Sequence, residues 1–234
     1  MSTIADNLQA VEATIAAAAQ EAGRARSMVQ LLAVSKTFPA EAVLEAIAAG
    51  QRAFGENYLQ EGVEKIAAVA RAQPDAAVEW HFIGPIQSNK TRPIAANFHW
   101  VHTVERLKIA QRLSEQRPPE LGPLNICLQV NISGEASKSG AGEAELPELA
   151  RQVAALANLR LRGLMAIPEA SNDPAQQRAA FARLRGLFED LRADGLALDT
   201  LSMGMSGDLQ AAIAEGATIV RIGSAIFGAR HYEQ

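Results

Sequence analysis

Short apolar segments alternate with amphipathic helical segments along the chain, and this alternation, repeated eight times, restricts the fold more than any other feature. The clearest segment, residues 31–36, is a continuous aliphatic run too short for a helix, which is typical of a buried parallel strand. The predicted strands cover residues 31–36, 52–54, 78–83, 98–102, 125–131, 160–166, 197–201 and 218–222. The predicted helices cover residues 6–26, 40–49, 89–96, 105–116, 143–156, 175–194 and 208–215, with another ending near residue 72 and a last one after residue 224.

Eight strands that alternate with helices predict a closed (β/α)8 TIM barrel, and 234 residues are at the short end of the range for that fold. The spacing of Leu8, Val11, Ile15 and Ala18 predicts an extra amphipathic N-terminal helix. Because no linker rich in Gly, Ser or Pro divides the chain, we expect a single domain over residues 1–234. A doubly wound open sheet is the alternative fold, although no G-x-G-x-x-G motif or P-loop follows any strand.

Lys36 closes the first predicted strand. Barrel enzymes build their sites at the carboxyl ends of the strands, so this position places an amine at the mouth of the barrel. Such an amine can form a Schiff base with a carbonyl compound. The alternative is a solvated lysine that ends an ordinary strand.

Two loops at the same end of the predicted barrel are rich in Gly and Ser. The loop after the seventh strand runs from Leu201 to Asp208, and the loop after the eighth contains Arg221–Ala225. Each leads into a helix N-terminus, where N–H groups and the positive end of the helix dipole bind phosphate. Ordinary capping explains one such turn, but two adjacent turns at the recurrent phosphate position of barrels predict a phosphate site.

A lysine, a phosphate site and an arginine at one barrel mouth match the needs of pyridoxal 5′-phosphate. This cofactor requires an amine for its aldehyde, a cradle for its phosphate and a partner for its ring nitrogen. Arg221 is the candidate for the third role, and since arginine keeps its proton, the ring nitrogen would stay unprotonated. Pairing of Arg221 with a carboxylate on a neighbouring loop is the alternative.

The sequence resembles the pyridoxal-phosphate homeostasis proteins, which share the N-terminal barrel fold of alanine racemase. The resemblance runs nearly end to end and rests on Ala33–Thr37, Phe54–Tyr58, Trp80–Lys90, Val130–Glu135, Gly163–Met165, Leu201–Ser206 and Arg221–Gly228. It implies that Lys36 is the Schiff-base lysine and that Arg221 lies at the ring nitrogen. It also implies phosphate contacts from Ser206, Gly223 and Ser224, with Asn57 and Met203 near the ring.

The same resemblance implies a binding protein that buffers and supplies the cofactor inside the cell, without robust turnover and without a catalytic residue. A racemase needs a second base on the opposite face of the substrate carbon, and in alanine racemase that base depends on a second domain. Since this chain stops at Gln234, shortly after the last strand, we expect that base to be absent.

Two other functions stay open at this point. A pyridoxal-phosphate-dependent amino-acid racemase would show steady turnover, and a cofactor-free Schiff-base aldolase would be colourless when purified. The expected partners are the cofactor itself and apo-enzymes that depend on it.

Charge and composition argue against several other classes of function. The net charge of −4 without a basic cluster excludes nucleic acid and anionic membranes as expected partners. No signal peptide or transmembrane span is present in the sequence, so we expect a cytoplasmic protein. We expect a monomer because the second domain, which the dimer interface of the racemase requires, is missing. The single cysteine, Cys127, lies in an apolar run and is predicted to be a buried core thiol. Four scattered histidines form no ligand cluster, so no metal is expected, and His81 and His102 are predicted to shape the barrel rim.

Lys138 lies in the Ser- and Gly-rich loop after the fifth predicted strand. A second pyridoxal phosphate could bind there or be relayed by this lysine. The alternative is a surface lysine that helps to order the loop.

Overall fold

The computed structural model describes residues 3–133 and 139–229. Its strands are β1 (Gln30–Val34), β2 (Ala53–Glu56), β3 (Glu79–Phe82), β4 (Trp100–Val104), β5 (Leu124–Gln129), β6 (Leu159–Met165), β7 (Thr200–Ser202) and β8 (Ile219–Ile222). Its α-helices are α1 (Ile4–Glu21), α2 (Ala40–Ala48), α3 (Leu59–Ala72), α4 (Thr91–Asn97), α5 (Leu107–Gln116), α6 (Leu146–Ala154), α7 (Pro174–Ala193), α8 (Leu209–Ala214) and α9 (Ser224–Phe227). Within these ranges no helix is both long and apolar enough to cross a membrane.

The eight strands form a closed parallel barrel in sequence order. β8 pairs with β1 in the register Gln30 to Ile219 and Ala33 to Ile222, which closes the sheet. The predicted (β/α)8 barrel with an extra N-terminal helix is thereby confirmed, and the alternative of an open sheet is wrong.

Two separate apolar clusters follow from the alternation of side chains along each strand. Leu31 and Ala33 belong to a large cluster that includes the apolar faces of the helices, so this cluster joins the strands to the helices. Leu32 points the other way and belongs to a smaller cluster inside the barrel, with Ala53, Trp100, Cys127, Met165 and Ile219. The prediction for Cys127 is confirmed: its thiol is fully buried, and burial raises its pKa to about 12.

The first helix ends earlier than the sequence pattern predicts. Helix α1 stops at Glu21 rather than near Arg26, because Gly23 adopts a left-handed conformation (φ 65°) and turns the chain. Arg26 instead begins a short 3-10 helix that ends at Met28.

The fourth strand lies two residues further along the chain than predicted. Phe98 still caps α4, so β4 begins at Trp100 and extends to Val104. Thr103, which lies outside the predicted strand, is therefore a strand residue, and its hydroxyl donates to the Gly84 carbonyl at 2.6 Å. The N-cap of α5 is Arg106.

The seventh strand is also displaced, and this displacement bears on the site. The sequence pattern predicts a strand over residues 197–201, whereas β7 covers Thr200–Ser202 and pairs Ser202 with Ile219. Helix α8 begins at Leu209, so residues 203–208 form the loop between the two elements.

Candidate functional site

A cavity of about 280 Å³ lies where the carboxyl ends of β1, β2, β7 and β8 meet. Its lining consists of Val34, Lys36, Asn57, Ile83, Met165, Ile167, Met205, Ser206, Gly207, Arg221, Gly223 and Ser224. Every residue that the sequence nominates for the site is in this lining except Met203. Residues separated by almost 190 positions, Lys36 and Ser224, thus border one space.

Met203 is fully buried in the cluster between the strands and the helices. Two other methionines, Met165 and Met205, line the cavity instead. The period of two explains the difference, since Ser202 points into the barrel and its neighbour therefore points out of it. Gly204 then reverses the chain (φ 97°), and a Cβ there would lie 2.5 Å from the Cβ of Ala212.

Lys36 is held by a turn whose backbone is anchored on both sides. Ser35 before it is fully buried and donates a backbone hydrogen bond to the Gly55 carbonyl at 3.0 Å. Thr37 after it adopts φ 69°, a left-handed conformation rare for a threonine, and its N–H donates to Glu61 Oε1 at 2.6 Å. The turn thus places Lys36 in the cavity lining on a fixed backbone.

Behind this turn lies a buried ionic group that sequence reasoning missed, here called the lysine cluster (Ser35, Glu56, Glu61 and Lys65). The Lys65 ammonium donates to Glu56 Oε1 at 2.7 Å, to Glu61 Oε1 at 2.9 Å and to the Ser35 carbonyl at 2.8 Å. The Ser35 hydroxyl donates to the same Glu56 oxygen at 2.6 Å. Burial raises the pKa of Glu56, and the charge and hydrogen bond of Lys65 offset part of that rise.

Arg221 reaches the cavity from β8 and is 95% buried, its exposed fraction being 5%. Its guanidinium donates to Ser202 Oγ at 2.8 Å and to the Ala166 carbonyl at 3.1 Å. A hydroxyl and a carbonyl thus take the place of the carboxylate partner considered as the alternative. Burial lowers the pKa of Arg221 to about 10, so the group stays protonated at neutral pH.

His81 and His102 lie inside the barrel, so the prediction that they shape its rim is wrong. Both are fully buried, and His81 Nδ1 lies 2.8 Å from His102 Nε2. His81 also stacks on Trp100, with ring centroids 5.3 Å apart. Burial lowers the pKa of both imidazoles, that of His102 most strongly.

The two Gly- and Ser-rich loops border the cavity as predicted. Ser206 and Ser224 are exposed, and Gly223 lies so close to β1 that a Cβ there would be 3.1 Å from the Val34 carbonyl oxygen. Asp208, at the N-cap of α8, accepts the Met205 N–H at 2.6 Å and so shapes the first loop. Helix α9 has only one turn, so hydroxyl and backbone donors count for more at this loop than a helix dipole.

Two other cavities contain neither Lys36 nor Arg221. A larger one, about 570 Å³, lies outside the barrel among α1, α7 and α8, away from Lys36 and Arg221. A second cavity of about 280 Å³ adjoins the site through Asn57, Ile83 and Ile167. Across residues 3–133 and 139–229 no three His, Cys, Asp or Glu side chains are grouped to hold a metal ion. Lys138 lies outside the described residues.

Comparison with known proteins connects this geometry to one family. Residues 7–231 match the family model described as alanine racemase, N-terminal domain. The chain is 67% identical over 99% of its length to the pyridoxal phosphate homeostasis protein of Pseudomonas aeruginosa, covering 98% of that protein. It is 54% identical to the pyridoxal phosphate homeostasis protein of Escherichia coli over 100% of both chains. Among solved structures, PipY of Synechococcus elongatus with PLP bound superposes with a TM-score of 0.84 at 37% identity, over 97% of this chain and 100% of that chain.

Proposed function

The chain belongs to the family of pyridoxal phosphate homeostasis proteins, and on that premise we propose that it binds pyridoxal 5′-phosphate reversibly at the barrel mouth. The observation that carries the proposal is the cavity that brings Lys36, Arg221, Ser206 and Ser224 around one space. We further propose that the whole chain acts as one cytoplasmic, monomeric binding domain.

The donor set of the cavity fits the three functional groups of this cofactor. An amine lies on the β1 side, a guanidinium on β8, and two serine hydroxyls with two glycines border the remaining loops. The volume, about 280 Å³, is close to the ~300 Å³ at which small-molecule sites begin, so it suits one compact ligand. Asn57 adds a buried amide oxygen without a hydrogen-bond partner among the described residues.

When bound, pyridoxal phosphate supplies an electrophilic aldehyde and an electron-withdrawing ring. Lys36 Nζ would bond to the aldehyde carbon, with water as the leaving molecule. Ser206, Gly207, Gly223 and Ser224 would hold the phosphate through hydroxyl and backbone N–H donors.

Arg221 would meet the ring nitrogen as a donor. Because arginine keeps its proton, the ring nitrogen would remain an acceptor, and the ring a weaker electron sink than with a carboxylate partner. Asn57 and the methionines Met165 and Met205 would border the ring. Met203 belongs behind this layer, where it supports the loop after β7.

Capture and release, rather than turnover, is the role that we propose for this site. The cavity lining includes one lysine and one arginine but no histidine, tyrosine or carboxylate that would serve as a second base among the described residues. The serines that would hold the phosphate are exposed, which leaves the ligand accessible to amines and to apo-enzymes that need it.

The test is the visible spectrum of the purified protein after addition of pyridoxal phosphate, followed by borohydride reduction and peptide mass analysis. We expect a coloured adduct, locked by reduction onto Lys36, in the wild type and in Lys90→Ala, which removes an exposed lysine elsewhere. Lys36→Ala should lose the adduct and keep its fold. An unchanged adduct in Lys36→Ala would overturn the proposal, and steady interconversion of L- and D-alanine would replace it with a racemase.

A further inference from the structure

A continuous hydrogen-bonded chain crosses the inside of the barrel, here called the histidine chain (Glu79, His81, His102, Ser202 and Arg221). Glu79 Oε1 lies 2.8 Å from His81 Nε2, and His81 Nδ1 lies 2.8 Å from His102 Nε2. His102 Nδ1 lies 2.7 Å from Ser202 Oγ, which accepts from Arg221 at 2.8 Å. Since Glu79 begins β3, the chain runs from the amino-terminal end of the barrel to the cavity.

The carboxylate end of this chain determines every proton along it. At the other end a guanidinium only donates, so Ser202 Oγ accepts from Arg221, but a hydroxyl oxygen has two lone pairs and this contact alone allows either tautomer of His102. An ionised carboxylate only accepts, so His81 Nε2 carries a proton towards Glu79. Each neutral imidazole has one N–H, so His102 Nε2 must donate to His81 Nδ1.

The buried surroundings keep both imidazoles in this neutral state. His81 and His102 are fully buried, and burial lowers the pKa of each. Burial alone would raise the pKa of Glu79, but the hydrogen bonds that it accepts from His81 and Gln30 hold it below its usual range. The carboxylate therefore remains an acceptor at neutral pH.

We propose that Glu79, at the far end of the barrel, is a positioning residue for Arg221. It fixes the tautomers of His81 and His102, so that His102 Nδ1 accepts the Ser202 O–H and a lone pair of Ser202 Oγ is directed towards the guanidinium. The Ala166 carbonyl holds a second nitrogen of Arg221, so the orientation of the group in the cavity lining is determined from both sides. The effect on ligand binding rests on the proposed function, whereas the effect on the tautomers does not.

The first measurement uses the ligand-free protein and reads the ring nitrogens of His81 and His102 by ¹⁵N NMR. In the wild type we expect one tautomer at each, with the proton on Nε2. Glu79→Ala removes the acceptor, so the proton can move to Nδ1 on both rings and two tautomers should appear. Glu79→Gln keeps an acceptor oxygen and should retain the wild-type tautomers.

The matched control is Asp199→Asn. Asp199 is a partly exposed carboxylate that precedes β7 and pairs with Arg162, outside the histidine chain. This substitution removes the same charge near the same end of the barrel and should leave both tautomers unchanged.

The second measurement is the equilibrium affinity for pyridoxal phosphate. Glu79→Ala should bind at least about fivefold more weakly than the wild type, the lower bound of ordinary coupling between two sites. Asp199→Asn should bind as the wild type does. Unchanged tautomers in Glu79→Ala, or equal affinity losses in both variants, would overturn the inference. A wild type that binds no cofactor but changes tautomers on Glu79→Ala would overturn the proposed function alone.

Discussion

The two cationic side chains of the cavity, Lys36 and Arg221, are supported by buried polar groups that differ in the distance between their charges. The lysine cluster, behind the turn that holds Lys36, lies outside the barrel and concentrates one ammonium and two carboxylates within a few ångströms. The histidine chain, behind Arg221, lies inside the barrel and separates its charges by two neutral imidazoles and a hydroxyl. The first fixes a backbone turn, and the second fixes the orientation of a side chain.

This difference predicts how a substitution in each group should affect stability and ligand binding. A buried ion pair that loses one partner leaves an uncompensated charge in a low dielectric, whereas removal of a neutral group costs only the hydrogen bonds that it made. We therefore expect the lysine cluster to govern stability, and the histidine chain to govern binding more than stability.

The largest expected effect is that of Lys65→Met. Lys65 is 3% exposed and its partner Glu56 is 0% exposed, so the variant leaves a buried carboxylate unpaired. We expect a loss of about 3–5 kcal/mol in the free energy of unfolding, measured by urea titration. The double variant Lys65→Met with Glu56→Gln should be more stable than Lys65→Met alone, and a loss below about 1 kcal/mol would contradict the ionic account.

A smaller effect is expected from Ser202→Ala, the matching break in the histidine chain. The variant removes the acceptor of Arg221 and the donor to His102, and should cost about 1–3 kcal/mol by urea titration. Affinity for pyridoxal phosphate should fall with it, because Arg221 loses one of its two restraints. If a folded Ser202→Ala variant kept the full affinity for pyridoxal phosphate, the histidine chain would have no role in ligand binding.

Glu79 in the histidine chain and Glu56 in the lysine cluster should change stability in opposite directions as the pH rises. The pKa of Glu79 is lowered from 4.5 to about 2, so the unfolded state binds more protons and stability is lost as pH falls through that window. The pKa of Glu56 is raised above 4.5, so the folded state binds more protons and stability falls as pH rises above that value.

The measurement is the urea midpoint at a series of pH values for Glu79→Gln and Glu56→Gln. In Glu79→Gln, stability should fall less than in the wild type as the pH decreases below 4.5. In Glu56→Gln, stability should fall less than in the wild type as the pH increases above 4.5. We expect the first change to be modest, because the Glu79 side chain is 40% exposed and water screens it. Changes of the same sign in both variants would contradict the assignment.

The smallest effect is expected from Gln30→Ala. Gln30 donates to Glu79 at 3.2 Å in an exposed setting, so the free energy of unfolding should change by no more than about 0.5 kcal/mol. The tautomers of His81 and His102 should stay as in the wild type, since the carboxylate remains. A larger loss in the free energy of unfolding would mean that the exposed contact between Gln30 and Glu79 stabilises the protein.

Much of the site was accessible from the sequence because strand ends converge in a parallel barrel. The alternation of short apolar runs and helices predicts eight strands, and their carboxyl ends bring Lys36, Asn57, Ser206 and Arg221 to one mouth. That prediction needs only the order of the elements, and errors of one to three residues at the ends of β4 and β7 leave it intact.

Which side chains face inward was decided by the tertiary structure alone. A strand of three residues such as β7 has no pattern long enough to reveal its phase, and a shift of one residue exchanges Ser202 for Met203 at the barrel interior. The contact between His102 and Ser202 spans 100 residues and depends on the register of every strand between them. Local periodicity therefore specified the barrel and its mouth, while closure of the sheet selected the buried polar partners that hold Lys36 and Arg221 in place.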